Sequence, residues 1–386
     1  MSDYSRHKRI FQLFRPAMKL FARTKFNYSS DDLSMIPGPY LLLSNHNTDF
    51  DPVFIGLASG KHLYYVATEN ITRIPVVGKI LLRWFDPIIH FKGKAGMKTV
   101  LSIISRIKDG HSVCMFAEGN RSFNGLTMPI PAVTGKLAKK TGASLVTFKL
   151  EGGYLSSPRW SVKSRKGRVR GKLVNIYSPE LLKSMTDEEV YGAIVRDLSV
   201  DAYEDQKRFP VRYKGKRLAE GLESTLFMCP SCGKIAGLST KGNFMSCSCG
   251  FHAVYDEYGM INTQDGNSYT VTQLDRWQRD VLKKMSGYPD EEILFSDEVT
   301  FHEIDDSTHK AVRSWNGILS AGSHSLLLDG TQLPFSEISG LAVSTRNTLL
   351  LHYEKGARHI DIKGPVSFSA LKYYYLYQFA SGGAEL

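Results

Sequence analysis

The chain has 386 residues, 42% of them hydrophobic, and a formal net charge of +11. That length fits two or three domains with real cores, and a basic balance suits nucleic acid, an anionic membrane surface or phosphorylated substrates without choosing among them. No run approaches the roughly 18 apolar residues of a transmembrane helix, and the N-terminus lacks the apolar core and cleavage site of a signal peptide, so the expected location is cytoplasmic, free or peripheral on the inner face of the membrane.

Residues 5–26 carry Ile10, Leu13, Phe14, Ala17, Leu20 and Phe21 at helical spacing, with Arg6, Lys8, Arg9, Arg15, Lys19 and Arg23 interspersed. A basic amphipathic segment of this kind can lie in a membrane interface. It can equally pack its apolar stripe on its own domain. Pro16 marks a kink or a helix start. Residues 1–26 are read as a membrane-association helix.

From 36 to 150, short apolar runs at 40–44, 63–67, 87–91, 112–116 and 143–150 read as strands. Between them 52–58, 74–84, 95–108 and 131–141 read as helices. This alternation predicts an α/β fold with a mainly parallel sheet covered by helices on both faces. Cys114 is expected to be buried and inert. Polar residues begin where two of these strands should stop. After the first comes Asn45-His46-Asn47-Thr48-Asp49-Phe50-Asp51, with Pro52 opening a helix. A His and an Asp five apart on such a turn can meet, one as base and the other as its orienting acid. After the fourth comes Phe116-Ala117-Glu118-Gly119-Asn120-Arg121-Ser122. Arg121 can grip a phosphate through a bidentate contact, and Gly119 lets backbone N–H groups approach a ligand. In a parallel sheet both turns face one crevice at the carboxyl ends of the strands.

Together the two boxes resemble the glycerolipid acyltransferases, which acylate glycerol 3-phosphate and lysophosphatidate. The family's Asn-His-x-(Ser/Thr)-x-x-Asp box, with its His-x4-Asp core, is matched at Asn45, His46, Thr48 and Asp51. Its Phe-Pro-Glu-Gly-Thr-Arg-Ser box is matched at Phe116, Glu118, Gly119, Arg121 and Ser122, with Ala117 for the Pro and Asn120 for the Thr. The family's second box ends in an Arg, and the best register puts Lys92 there. The fourth box, residues 145–153, lacks the usual Pro. The resemblance covers roughly residues 35–180. It implies that His46 is the general base, that Asp51 orients it, and that no covalent enzyme intermediate forms. It also implies that Lys92, Glu118, Gly119 and Arg121 bind substrate, with acyl-coenzyme A or acyl carrier protein as donor and a lysophospholipid as acceptor. Asp51→Asn is expected to keep the turn's shape while losing orientation and charge.

Residues 159–172 hold seven basic residues and no acid. They read as a solvated face or a contact to phosphates, with Lys166-Gly167 at a hairpin tip. Residues 185–208 read as one helix with Thr186 and Glu189 as a capping box, closing an acyltransferase domain over 27–210. Cys229 and Cys232, then fourteen intervening residues, then Cys247 and Cys249 make two thiolate pairs suited to tetrahedral zinc. The pattern resembles a small zinc ribbon over 225–262, with the zinc structural because four sulfurs close the site. A helix over 270–284 follows. Short strands and a final helix over 367–380 resemble a β-rich pleckstrin-homology-like domain over 290–386, a fold-level analogy that proves no lipid binding.

The features support an acyltransferase first. A nucleic-acid-binding zinc-ribbon protein is the alternative, but the ribbon offers only Lys234, Lys241 and Phe244 for such a contact, so nucleic acid is not the favoured partner. A catalytically inactive scaffold on a phospholipid surface is the third reading.

Overall fold

The computed structural model describes residues 3–68, 71, 77–90, 96–288, 292–305, 310–354 and 358–381. Lys92 lies outside the described residues. The chain divides into two units, Met1–Pro158 with Ser164–Lys214, and Arg159–Lys163 with Gly215–Leu386.

In the first unit the order is α1 (Asp3–Phe26), β1 (Ser29–Ser30), β2 (Tyr40–Ser44), α2 (Asp51–Ser59), β3 (Tyr64–Thr68), α3 (Val77–Phe85), β4 (Ile88–His90) and α4 (Met97–Lys108). Then come β5 (Val113–Phe116), α5 (Val133–Lys140), β6 (Ser144–Glu151), α6 (Gly153–Ser156), β7 (Arg170–Tyr177), α7 (Pro179–Ser184), α8 (Asp187–Leu198) and α9 (Ala202–Arg208). The strands lie in the order β1-β7-β6-β2-β5-β3-β4. All neighbours run parallel except β6 and β7. The mainly parallel α/β sheet is therefore as expected.

β2 sits between β5 and β6 and is buried along its whole length. Successive side chains of a strand point to opposite faces, so Leu41 and Leu43 join Ile103, Leu137 and Val190 on one side. Tyr40 and Leu42 join Phe26, Phe54 and Phe148 on the other. Cys114 is fully buried in the second cluster, and burial pushes its thiol up, which keeps it inert.

Helix α1 has two apolar sides. His7, Phe11, Ala22 and Phe26 are buried, at spacings that share one face. Leu13, 75% exposed, and Leu20, 65% exposed, point away, with Ala17 exposed between them. The residues read from sequence as a stripe are thus largely the outer side, and a second stripe does the packing. Pro16 lies inside the helix.

Three expectations are corrected. The single helix over 185–208 is broken at 199–201. Thr186 and Glu189 form the expected capping box, but Asp201 caps a new helix by accepting from the N–H groups of Tyr203 and Glu204. Val200 meanwhile exchanges hydrogen bonds with Thr127, so the backbone there is engaged sideways. The hairpin at Lys166-Gly167 is absent. β7 pairs with β6, and Lys166 instead exchanges backbone hydrogen bonds with Lys214, each 2.8 Å. Nor is the basic run one solvated face, because Arg159 and Arg165 are buried.

The second unit carries an antiparallel sheet of β8 (Leu238–Lys241), β9 (Phe244–Cys247), β10 (His252–Tyr255), β11 (Ile261–Thr263) and β12 (Ser268–Tyr269). α10 (Val271–Met285) follows, opened by a capping box of Thr270 and Gln273. A second antiparallel sheet holds β13 (Phe295–Ile304), β14 (Ala311–Ala321), β15 (Ser325–Leu328), β16 (Thr331–Pro334), β17 (Ile338–Val343), β18 (Thr348–Tyr353) and β19 (Arg358–Lys363). α11 (Ala370–Ala380) ends the described chain. Phe368, Leu371 and Tyr375 are buried as expected, and Phe379 is half-buried.

Because Leu42 is fully buried on the central strand, Leu42→Ala is expected to lower stability by about 2–5 kcal/mol. Urea denaturation of the full chain, followed by the loss of the first unit's signal, measures it.

Candidate active site

The carboxyl ends of β2, β5 and β6 lie side by side, and the two polar boxes leave from the first two. Their main chains are joined directly. The Ala117 N–H donates to the Ser44 carbonyl at 3.2 Å, and the Ser122 N–H to the His46 carbonyl at 3.0 Å. The third strand is tied in by an amide. Asn45 accepts from the Leu150 N–H at 2.7 Å and donates to the Leu150 carbonyl at 2.9 Å, imitating a backbone pair. Asn47 donates to the same carbonyl at 3.0 Å.

Asp51 stands at the start of α2, fully buried. Its Oδ2 accepts from His46 Nδ1 at 2.8 Å, from the Asn47 N–H at 2.6 Å and from the Thr48 N–H at 2.9 Å. Its Oδ1 accepts from the Thr48 hydroxyl at 2.8 Å. Such donors, with the positive end of a helix dipole, let a buried carboxylate remain charged. The expectation for Asp51→Asn changes accordingly. An amide cannot accept at both atoms, so the turn itself would be disturbed. An acceptor-only carboxylate also fixes the tautomer of His46. Nδ1 carries the proton, and the Nε2 lone pair is left available. The imidazole stacks on Phe116, with ring centroids 4.2 Å apart at 17°.

Glu118 spends both carboxyl oxygens on backbone N–H groups. It is buried, and it braces the first box from below by accepting the His46 N–H at 2.5 Å on one oxygen and the Met128 N–H on the other. Burial pushes its carboxyl up to about 8, the two N–H donors pull it down, and the Asp51 charge adds to the rise. Gly119 has φ +66° and nothing near the place a Cβ would occupy, so the left-handed backbone is what calls for glycine there. Gly153 answers a different need. A Cβ there would stand 2.9 Å from the Cβ of Asn47. Arg121, its side chain 19% exposed, pairs through Nη1 with Oδ2 of Asp49 at 3.0 Å. His46, Asp51, Glu118, Gly119 and Arg121 are thus brought together. Asn47 and Asp49 are the residues that sequence reading passed over, and Asn45 was matched in the first box but given no role. The two amides carried no chemistry to look for, and Asp49 had no visible partner.

Residues 26–151 match the family model described as Acyltransferase. This part of the chain is similar to acyltransferases of glycerolipid synthesis. A chloroplastic 1-acyl-sn-glycerol-3-phosphate acyltransferase, BAT2 of Brassica napus, is 27% identical to the chain over 115 residues. The match takes in 30% of this chain and 33% of that protein, so it spans a third of the relative's length. The crystal structure of the 1-acyl-sn-glycerophosphate (LPA) acyltransferase PlsC from Thermotoga maritima aligns with 18% identity and a TM-score of 0.42. That alignment covers 53% of this chain and 83% of that one.

In the second unit the sulfurs of Cys229, Cys232, Cys247 and Cys249 all lie within 4.8 Å of one another. Cys229 and Cys249 are 3.7 Å apart, and Cys232 and Cys247 are 3.9 Å apart. A tetrahedron of four zinc–sulfur bonds of about 2.3 Å has edges of about 3.8 Å, so the donor set fits that ion. Each pair rides a tight turn. The Gly233 N–H donates to the Cys229 carbonyl at 2.9 Å, and the Gly250 N–H to the Cys247 carbonyl at 3.1 Å.

The raised Glu118 carboxyl gives stability a pH dependence. Below about 4.5 the folded and unfolded chains both hold the proton. As pH rises toward about 8 the unfolded chain releases it and the folded chain retains it, so stability falls. Wild type is expected to lose stability relative to Glu118→Gln across that window, by up to about 1.4 kcal/mol per pH unit, and to run parallel to it above. Urea denaturation of both proteins between pH 5 and 9 checks this.

Proposed function

We propose that the acyltransferase segment moves a fatty acyl group from a thioester, on coenzyme A or a carrier protein, to a hydroxyl of lysophosphatidate or a related lysophospholipid or glycerol phosphate. One observation carries the reading. His46 Nδ1 lies 2.8 Å from a fully buried, hydrogen-bonded Asp51, while His46 itself is partly exposed at the carboxyl ends of the strands. The acceptor hydroxyl gives its proton to His46 Nε2 as its oxygen attacks the thioester carbonyl. The tetrahedral intermediate collapses by breaking the C–S bond, and the leaving sulfur takes the proton from Nε2. An ester and a thiol result, and His46 is restored. Asp51 holds the ring and stabilises the imidazolium. Arg121 holds the acceptor phosphate, and Glu118 keeps the His46 backbone in place. Lys92 is the proposed second phosphate contact.

Membrane attachment is assigned to α1. Its exposed Leu13, Ala17 and Leu20, flanked by exposed Arg9, Lys19 and Arg23, support insertion into an anionic surface. The rings of Phe21 and Phe26 lie tilted against Phe50, the residue before Asp51, with centroids 5.3 and 5.0 Å away, so the helix adjoins the first box. No helix among the described residues is long and apolar enough to cross a membrane. The cysteines, with the antiparallel strands around them, are read as a zinc ribbon, and the strands of β13–β19 with α11 as a pleckstrin-homology-like domain. Zinc would be held by Cys229, Cys232, Cys247 and Cys249 and would supply folding energy, not chemistry.

Acyl transfer from radiolabelled acyl-coenzyme A to a panel of lysophospholipids tests the activity. His46→Ala is expected to lower kcat by about 10²–10⁴-fold while the chain still folds, as checked by circular dichroism. Near-normal transfer in that variant would falsify the assignment of the base. For the metal, protein purified without chelator is expected to hold one zinc per chain. Its removal should raise hydrogen exchange over 225–262 and spare the first unit. Elemental analysis showing none contradicts the site.

A further inference from the structure

The two active-site turns carry three carboxylates. Asp51 and Glu118 are buried and engaged. The third, Asp49, is turned outward from the same loop that turns Asp51 inward. Its side chain is 75% exposed, and its Oδ2 lies 3.0 Å from Arg121 Nη1. With its Asp49 end this open to solvent, the pair is well screened and contributes little to folding. Its effect falls on what Arg121 can hold. A carboxylate beside a guanidinium offsets that charge and repels a second anion brought to it. A phosphate monoester approaches a full double charge near neutral pH and meets both effects. A phosphodiester carries one charge fewer. If it ends in an ammonium on a short linker, it also brings the counter-charge that an exposed carboxylate can take.

We infer that Asp49 and Arg121 form a dipolar headgroup clamp that selects a zwitterionic phosphodiester acceptor over a phosphate monoester, Arg121 holding the phosphate and Asp49 the ammonium. The inference rests on the acyltransferase reading above and narrows its acceptor. Water reaches the Asp49 end of the pair, so a ligand can part it, and the loops of its two members are tied together by the Ser122–His46 backbone bond. Discrimination comes as much from the repulsion built against the monoester as from the attraction offered to the zwitterion.

The test uses the full chain. Acyl transfer is measured with lysophosphatidylethanolamine and lysophosphatidate of the same acyl chain. Headgroup binding is measured separately by ligand-observed NMR with sn-glycero-3-phosphoethanolamine and sn-glycerol 3-phosphate. Wild type is expected to prefer the zwitterion in both assays. Asp49→Asn, isosteric and neutral, should shift the ratio of kcat/KM and the ratio of affinities toward the monoester by about tenfold, through KM. Arg121→Ala should weaken both headgroups. A ratio unmoved by Asp49→Asn, or a wild type that favours the monoester, overturns the clamp. Binding of neither headgroup also overturns it, and acyl transfer to another hydroxyl would then leave the acyltransferase reading standing. Headgroup selection that shifts as expected with no acyl transfer to any acceptor overturns the acyltransferase reading instead.

Discussion

A single buried carboxylate sets the geometry of the site. Asp51 has no exposed surface, and a charge so placed is tolerated only if its lone pairs are occupied. Four donors occupy them, and each is a piece of the turn. Two are the N–H groups of Asn47 and Thr48, one is the Thr48 hydroxyl, and one is the His46 ring. The turn can close only in the shape that brings these donors to one point. The shape fixes which nitrogen of His46 is protonated and leaves the other for the acceptor hydroxyl. Orientation, tautomer and electrostatic support of the base are thus one constraint, not three.

That turn is held by bonds that belong to no single strand. Asn45 pairs with β6 as if it were main chain, and Glu118 reaches from the second box to the backbone of His46. The loops therefore behave as continuations of the sheet, and the reacting groups take their precision from it. Gly153 allows Asn47 to come close, since a side chain there would collide with it.

Much of this was legible in the residues. The buried run Tyr40–Ser44, the polar break after it and the second break after Phe116 placed both boxes at strand ends, because a parallel strand covered on both faces is apolar throughout and stops where the polarity changes. Four cysteines in two close pairs similarly announced their meeting. Asp49 could not be read this way. Its partner is 72 positions away in sequence, and only the parallel pairing of β2 with β5 makes them neighbours. The break at 199–201 was hidden for a related reason. Asp201 looked like one more polar residue on a helix face, and its capping role depends on Val200 pairing with Thr127. The outer stripe of α1 was visible. That a second, sparser stripe of His7, Phe11, Ala22 and Phe26 would do the packing was not, because a histidine does not announce itself as core.

The short segment Arg159–Lys163 belongs to the second unit although the first unit continues to Lys214. Arg159 donates to the carbonyls of Val343 and Ser344, and Trp160, fully buried, sets its ring against Tyr255. On the ribosome this ordering has a direct effect. A nascent chain that has reached Lys214 holds all of the first unit but only this one strap of the second, and the partners of Trp160 and Arg159 have yet to be made. The tryptophan therefore waits in solvent, or in the hands of a chaperone, until Tyr255 and then Val343 emerge. Residues made nearly two hundred positions later complete the environment of Arg159, and no single cut in the chain separates the two units intact.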